Sequence, residues 1–426
     1  MIIGVIVLLI GLMMGIPIAF CLGISSAAIL YTKNFPLIVI AQRMFTGIDV
    51  FPFMAVPFFI LAGSLMEKSG ITKNLVKFSD LFVGHIKGGL SHINVVSNMF
   101  LAGISGSAVA DASAIGSMMI PAMKEKGFDL DFSAAITAAS SVVGPIIPPS
   151  IPMVIFALLS GQSVAALFMA GMLPGILVGL ALLVLSYFIS VKRNYPKRDE
   201  KIGWKEFIMS CIHAIVPLMM PLIILGGILS GVFTATEASA VAVVYALIIG
   251  LLVYRTLKIK DLRAAFIDTA KTTGVVFLVI ACANIFNWLL SVEQVPQLMA
   301  SYFKEYISTP VMFLLMLNVL LLFLGTFMEG TAAMIITVPI FLPIAVSYGI
   351  HPVMFGIIVV LNLMIGLITP PVGLCLYVAC GIAKISLERI SIAVIPFLIA
   401  EIATLMLVTY WPFLTLWLPK VLGYIR

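Results

Sequence analysis

Four short stretches of this sequence hold the residue types that could do chemistry, and they form two matching pairs. The first pair is GISGSAVAD, from Gly103 to Asp111, with SSVVGPIIPPS, from Ser140 to Ser150; the second is GTFMEGTA, from Gly325 to Ala332, with GLITPPVG, from Gly366 to Gly373. Proline has no N–H and its ring blocks the preceding helical turn, so Pro145, Pro148 and Pro149 free nearby carbonyl oxygens. With the hydroxyls of Ser105, Ser107, Thr326 and Thr369, such carbonyls make a set of hard oxygen donors. That set suits an alkali cation without any formal negative charge. Helix N-termini facing the same space carry partial positive charge and can hold a carboxylate.

The elements that position these stretches lie in lipid. Of 426 residues, 62% are hydrophobic and 10% charged, against about 25% charged in a soluble domain, so most of the chain has no water to face. Apolar runs recur from Ile2 to Tyr410, and at roughly 20 residues per helical crossing they predict about nine spans and two shorter hairpin-like stretches. Met1 to Leu30 has no charge near its start, which favours a mature span or pair of spans over a cleaved signal. Ile2 to Tyr31 is long for one span and short for two, so the side of the N-terminus stays open. Cys21, Cys211, Cys282, Cys375 and Cys380 fall in or beside apolar runs, with no zinc or disulfide spacing. The net charge of +6 comes from basic residues in the connections, where they orient a membrane protein; no nucleic-acid role is expected.

Sliding the sequence against itself by 222 positions pairs Gly103 with Gly325, Gly144 with Gly366, and Pro148 and Pro149 with Pro370 and Pro371. Only 11 of the 72 positions from Gly103 to Pro174 are identical, but seven of those are the Gly and Pro that shape backbone. The chain then divides into a first repeat over 1–191, a cytoplasmic loop and connecting helix over 192–223, a second repeat over 224–418 and a tail over 419–426. Each repeat is expected to hold a re-entrant hairpin, about 92–120 and 310–342, and a broken helix, about 132–160 and 353–381. If the basic loop Lys192 to Lys205 is cytoplasmic, 19 of the 24 Lys and Arg fall on that side, and Lys124 and Pro343 fall on opposite sides. Two repeats inserted in opposite senses are the architecture of many secondary transporters. The fold class expected is an all-α membrane protein with inverted repeats, two re-entrant hairpins and two broken helices.

Non-helical chain at membrane depth persists only where it lines a cavity or binds something, which is why the interrupted stretches mark the site. Three acids lie in or near membrane depth, Asp111, Glu237 and Glu329, and each reads either as a helix cap or as a site residue. Asn98, Asn318 and Asn362 either bond solute or satisfy backbone within the bundle. A rival class is intramembrane proteolysis, because Gly103 to Gly106 spells GxSG. A serine nucleophile needs a nearby base, and His85, His92, His213 and His351 are placed in connections or at span ends, so no enzyme is expected.

At these motifs the sequence resembles the large membrane subunit of the tripartite ATP-independent periplasmic (TRAP) transporters. The resemblance runs through PFMAVPFFILAGSLME near Pro52, GISGSAVADASAIGSMMIPAMKEKGF from Gly103, GPIIPPSIPM from Gly144, TATEASAVAVVYAL from Thr234, GTFMEGTAAMIITVPIFLP from Gly325 and LITPPVGLCLYV from Leu367. It implies an elevator mechanism in the bacterial inner membrane, with sodium as coupling ion and no other cofactor. It also implies a small four-helix membrane partner, here as a separate chain, and a periplasmic binding protein that delivers an organic acid. The wording is closest to the sialic-acid branch, with C4-dicarboxylates the wider class. Carried over by motif, one cation site falls at Ser105, Gly106 and Ser107 with Gly144, Pro145 and Ile147, and the other at Gly325, Thr326 and Met328 with Gly366, Thr369 and Pro370. The solute is expected between Ser107, Ala108, Pro148 and Pro149 on one side and Gly330, Thr331, Pro371, Val372 and Gly373 on the other. A stand-alone sodium–dicarboxylate symporter of similar fold is the nearer rival.

Overall fold

The computed structural model describes residues 2–198, 203–307 and 309–425. Part of the basic loop, residues 199–202, lies outside them. Among the described residues every regular element is helical. The first ten helices are α1 (Ile2–Met13), α2 (Ile18–Thr32), α3 (Ile38–Ile48), α4 (Ala55–Lys68), α5 (Ile71–Val83), α6 (Gly89–Ser105), α7 (Ala108–Glu125), α8 (Leu130–Ser141), α9 (Ile151–Ser160) and α10 (Val164–Lys192). The rest are α11 (Trp204–Leu229), α12 (Ala235–Ile248), α13 (Ile259–Val292), α14 (Val295–Tyr306), α15 (Pro310–Phe327), α16 (Gly330–Ser347), α17 (Pro352–Gly366), α18 (Leu374–Ala383), α19 (Leu387–Tyr410) and α20 (Phe413–Val421).

The repeat read from glycine and proline is a repeat of helices. Helix α7 starts at Ala108 and α16 at Gly330; α8 starts at Leu130 and α17 at Pro352, each pair 222 residues apart. In each half two arms join through a two-residue link, Gly106-Ser107 or Met328-Glu329, and a following helix is interrupted at prolines and resumes as a ten-residue helix. Both interruptions contain a cis peptide, Pro148–Pro149 and Pro370–Pro371.

Packing sorts the helices into two groups. In one, α2, α3 and α4 pack on α13, and α12 packs on α4. In the other, α6, α7 and α18 pack on α8, α15 and α16 on α17, and α10 and α19 lie against α17 and α8. Buried amides tie each hairpin to its broken helix. Asn98 donates to Ser140 Oγ at 2.8 Å, and Asn362 donates to Asn318 Oδ1 at 2.8 Å while Asn318 donates to Thr409 Oγ1 at 3.1 Å. The amide N–H groups of the three asparagines therefore serve the bundle itself, while Asn98 Oδ1 and Asn362 Oδ1 are buried without a partner among the described residues.

The structure corrects several expectations. Eight helices among the described residues are long and apolar enough to cross a membrane, against the nine spans expected, and α15 and α16 are among them. Ile2 to Tyr31 is two helices, because Gly15 adopts φ 73° and Pro17 lacks an N–H. Helix α11 runs unbroken through residue 224, so the expected boundary between 223 and 224 cuts a helix. His213 lies inside α11, not in a connection, with Nδ1 2.7 Å from the Met209 carbonyl oxygen. Two amphipathic helices, α5 and α14, lie outside the candidate spans. Their apolar residues recur at helical spacing, as in ITKNLVKFSDLFV.

Candidate solute and cation site

The site grows from the two tips. Helix α6 ends at Ser105, and Gly106, at φ 61°, turns the chain with a conformation that a side chain disfavours. Ser107 then caps α7, its hydroxyl accepting from the Ala110 N–H at 3.4 Å, and its own N–H donates to Ser105 Oγ at 3.2 Å. The second tip is capped differently. Glu329 accepts from the Ala332 N–H at 3.1 Å, so the cap reading holds for this acid. Glu237 is likewise a cap: it accepts from the Thr234 N–H at 2.8 Å in a reciprocal capping box.

Asp111 is not the cap of α7. Its Oδ1 accepts from the Ser105 hydroxyl, and its fully buried Oδ2 has no hydrogen-bond partner among the described residues. A Cβ at Gly144 would lie 2.1 Å from that oxygen, so the glycine lets the first break approach the carboxylate. The first candidate cation site therefore has a carboxyl group beside it, an oxygen donor that the set of hydroxyls and carbonyls read from the sequence did not include. An orphan carboxylate oxygen next to Ser105 and Gly144 is the kind of hard donor that sodium takes up, so the residues fit the ion.

At the second site the contact is backbone to backbone, Gly325 against Gly366. Thr326 Oγ1 donates to the Phe323 carbonyl at 2.7 Å and Thr369 Oγ1 to the Ile365 carbonyl at 2.8 Å, which leaves oxygen lone pairs on both hydroxyls. Gly373 N–H donates to the Thr326 carbonyl at 3.3 Å, closing the bend onto the tip. This donor set is neutral and also suits sodium.

Both tips face one cavity of about 1040 Å³. Ser105, Gly106, Ser107, Ala108 and Pro145 line it from the first half, and Met328, Glu329, Thr331 and Leu367 from the second. Several expected site residues are not on its wall. Gly144, Pro148, Pro149, Gly325, Thr326, Gly330 and Gly366 are buried behind it. Ile147 packs toward α10, where a Cβ at Gly175 would meet it at 2.5 Å. Thr369, Pro370, Pro371, Val372 and Gly373 also lie off the wall, with Pro371 exposed elsewhere. No histidine lines the cavity, so Ser105 has no imidazole base there among the described residues.

Sequence reasoning missed charged residues on the cavity wall and a buried acid away from it. Glu67 and Lys68 of α4 and Asp268 of α13 line it from the scaffold, one turn beyond Gly63, where α4 meets the first tip. Glu401 of α19 is fully buried, with both carboxylate oxygens unpartnered among the described residues. Its signal was visible, as a lone acid in the apolar run FLIAEIATLML. Away from the membrane, Asp129 accepts from Tyr195 Oη at 2.6 Å and from Arg193 at 2.7 Å, fastening the turn before α8 to the segment after α10. The Tyr195 hydroxyl, then Arg193, holds the Asp129 carboxyl below its ordinary range, while burial pushes Tyr195 up to about 12.

The comparisons agree with this architecture. Residues 5–414 match the family described as "Tripartite ATP-independent periplasmic transporter, DctM component". The chain is 42% identical to the sialic acid TRAP transporter large permease SiaM of Vibrio cholerae, over 96% of both chains. It is 38% identical to the C4-dicarboxylate large permease DctM of Rhodobacter capsulatus, over 98% of both. It is 35% identical to the 2,3-diketo-L-gulonate large permease YiaN of Escherichia coli, over 94% of this chain and 95% of that one. Its fold is similar to that of the Alcanivorax borkumensis YdaH transporter, with a TM-score of 0.64 over 88% of each chain at 14% identity. Eight candidate spans and a family match along nearly its whole length make this chain a multi-pass inner-membrane protein that belongs to the DctM family of TRAP large permeases.

Proposed function

We propose that the chain carries a small organic acid into the cell together with sodium, by an elevator movement of its two re-entrant hairpins and two broken helices past the α2–α4, α12 and α13 scaffold. The observation that carries this reading is the convergence of both tips, from halves 222 residues apart, on one cavity that reaches the scaffold. The orphan Asp111 oxygen and the neutral hydroxyls at Thr326 and Thr369 support sodium at the tip-to-break contacts. The relatives named for sialic acid, C4-dicarboxylates and 2,3-diketo-L-gulonate support a carboxylated solute, with sialic acid first because that relative is 42% identical.

The family's tripartite description supports two partners, a periplasmic binding protein and a small four-helix membrane subunit. The tips offer hydroxyls, carbonyls and helix ends but no Lys or Arg, so affinity for a free anion is weak there and a soluble protein supplies it. Uptake into proteoliposomes holding this chain and its small subunit tests the reading. Sialic acid at micromolar concentration should enter with a sodium gradient and the binding protein. Equal rates without the binding protein would instead support a stand-alone symporter, and equal drive by protons in potassium buffer would remove sodium coupling.

A further inference from the structure

Four charged side chains line the cavity among the described residues: Glu67 and Lys68 at the end of α4, Asp268 on α13 and Glu329 at the second tip. Three are carboxylates and one is a cation. A carboxylated solute moving along the cavity toward the end of α4 therefore finds one side chain of opposite charge on its wall, Lys68. Lys68 Nζ sits 3.3 Å from Asp268 Oδ2, with side chains 30% and 58% exposed. A pair this accessible is weakly held. A solute carboxylate can replace Asp268 on Lys68, and the released aspartate turns to water.

Thr269, beside Asp268 on α13, supplies a second and independent observation. It lines the same cavity and is only 7% exposed, yet its hydroxyl has no hydrogen-bond partner among the described residues. A helical threonine ordinarily returns this bond to a carbonyl three or four residues back, as Thr337 does to Ala333 at 2.8 Å. The oxygen lies just behind the cavity wall, so it becomes a place for a ligand oxygen once the neighbouring Lys68–Asp268 pair opens.

We propose that Lys68 and Thr269 form a carboxylate subsite on the scaffold, which takes the acid from the tips and exchanges it for Asp268 as the solute leaves. The proposal rests on the uptake reading above. Lys68 and Asp268 belong to the segments 67–92 and 254–271, whose excess of Lys and Arg marks the cytoplasmic side, so this is the release end.

The test measures thermal stabilisation of the purified chain with its small subunit by sialic acid and by its methyl ester, which lacks the charge. Lys68→Met should raise the half-saturating concentration of the acid about tenfold and leave that of the ester unchanged. Lys68→Arg should restore most of the affinity, Thr269→Val should cost roughly threefold, and Asp268→Asn, which removes the competitor, should tighten binding. If Lys68→Met and Asp268→Asn lower the melting temperature alike while half-saturation stays put, the pair is a clamp between α4 and α13 and the subsite is refuted. Equal shifts for acid and ester refute it as well. Wild-type uptake is measured alongside: its absence removes the uptake reading, whereas intact uptake with binding indifferent to Lys68 removes the subsite alone.

Discussion

A methyl group placed on Gly366 would lie 2.5 Å from the Cα of Gly325, because the second hairpin and the second broken helix touch backbone to backbone at these two residues. Backbone cannot swing aside as a side chain can, so Gly366→Ala has to push the tip off the break. Overpacking of this kind costs about 1–3 kcal/mol. The expected result is a lower melting temperature in detergent and a raised sodium requirement for uptake. An alanine variant matching wild type in both would show that the tip and break are not held in this contact.

Thr369→Val keeps shape at the same break while removing an oxygen. The Thr369 hydroxyl already donates to the Ile365 carbonyl, so what the substitution deletes from the surroundings is mainly a lone-pair donor. The protein should still assemble with its small subunit, and the sodium concentration for half-maximal uptake should rise several-fold. An unchanged sodium dependence would exclude Thr369 as a ligand.

Asn362→Leu removes the donor that satisfies the buried Asn318 Oδ1. Leaving such an oxygen unpaired costs about 1–3 kcal/mol. The double variant with Asn318→Leu should be less destabilised than the two single effects added, because both halves of the bond are then gone. Thermal unfolding of the three variants closes the cycle, and strict additivity would mean the bond has no energetic weight.

The Asp129 cluster should impose a pH dependence. Its folded-state pKa is depressed, so its stabilisation is present above the unfolded value near about 3.9 and fades as pH falls through the folded value. Asp129→Asn should therefore lower the melting temperature at neutral pH and make little difference in strong acid. The carboxylate is half exposed, so the effect stays under about 1 kcal/mol. Tyr195 moves the opposite way: its contribution is present below 10.0 and is lost as pH rises toward about 12. A difference between variant and wild type that is the same at every pH would rule out titration of this cluster.

Inverted repeats require Lys124 and Pro343, both exposed, to face opposite sides of the membrane. Single cysteines there, in a background lacking the five native ones, should react with an impermeant thiol reagent from opposite sides in whole cells and inverted vesicles. Labelling of both from one side would end the inverted-repeat description.

Much of the backbone was legible because its instructions are local. Pro148, Pro149, Pro370 and Pro371 cannot continue a helix wherever they sit, and Gly106 permits its turn without reference to neighbours. From such positions the sequence by itself determined the membrane class, the 222-residue repeat, both hairpins and both helix breaks. It also made Glu329 and Glu237 readable as caps, since a cap acts three residues along its own helix. What only the tertiary structure decided depends on approach between distant segments. Asp111 looked like a cap until Ser105 and Gly144 were brought against it, and Glu401 looked like part of an apolar run until its burial left both oxygens without partners. The charged wall of Glu67, Lys68 and Asp268 joins residues from helices 200 positions apart, which pair because α4 and α13 pack side by side. No spacing in the chain encodes that contact, because it is set by which apolar faces bury one another.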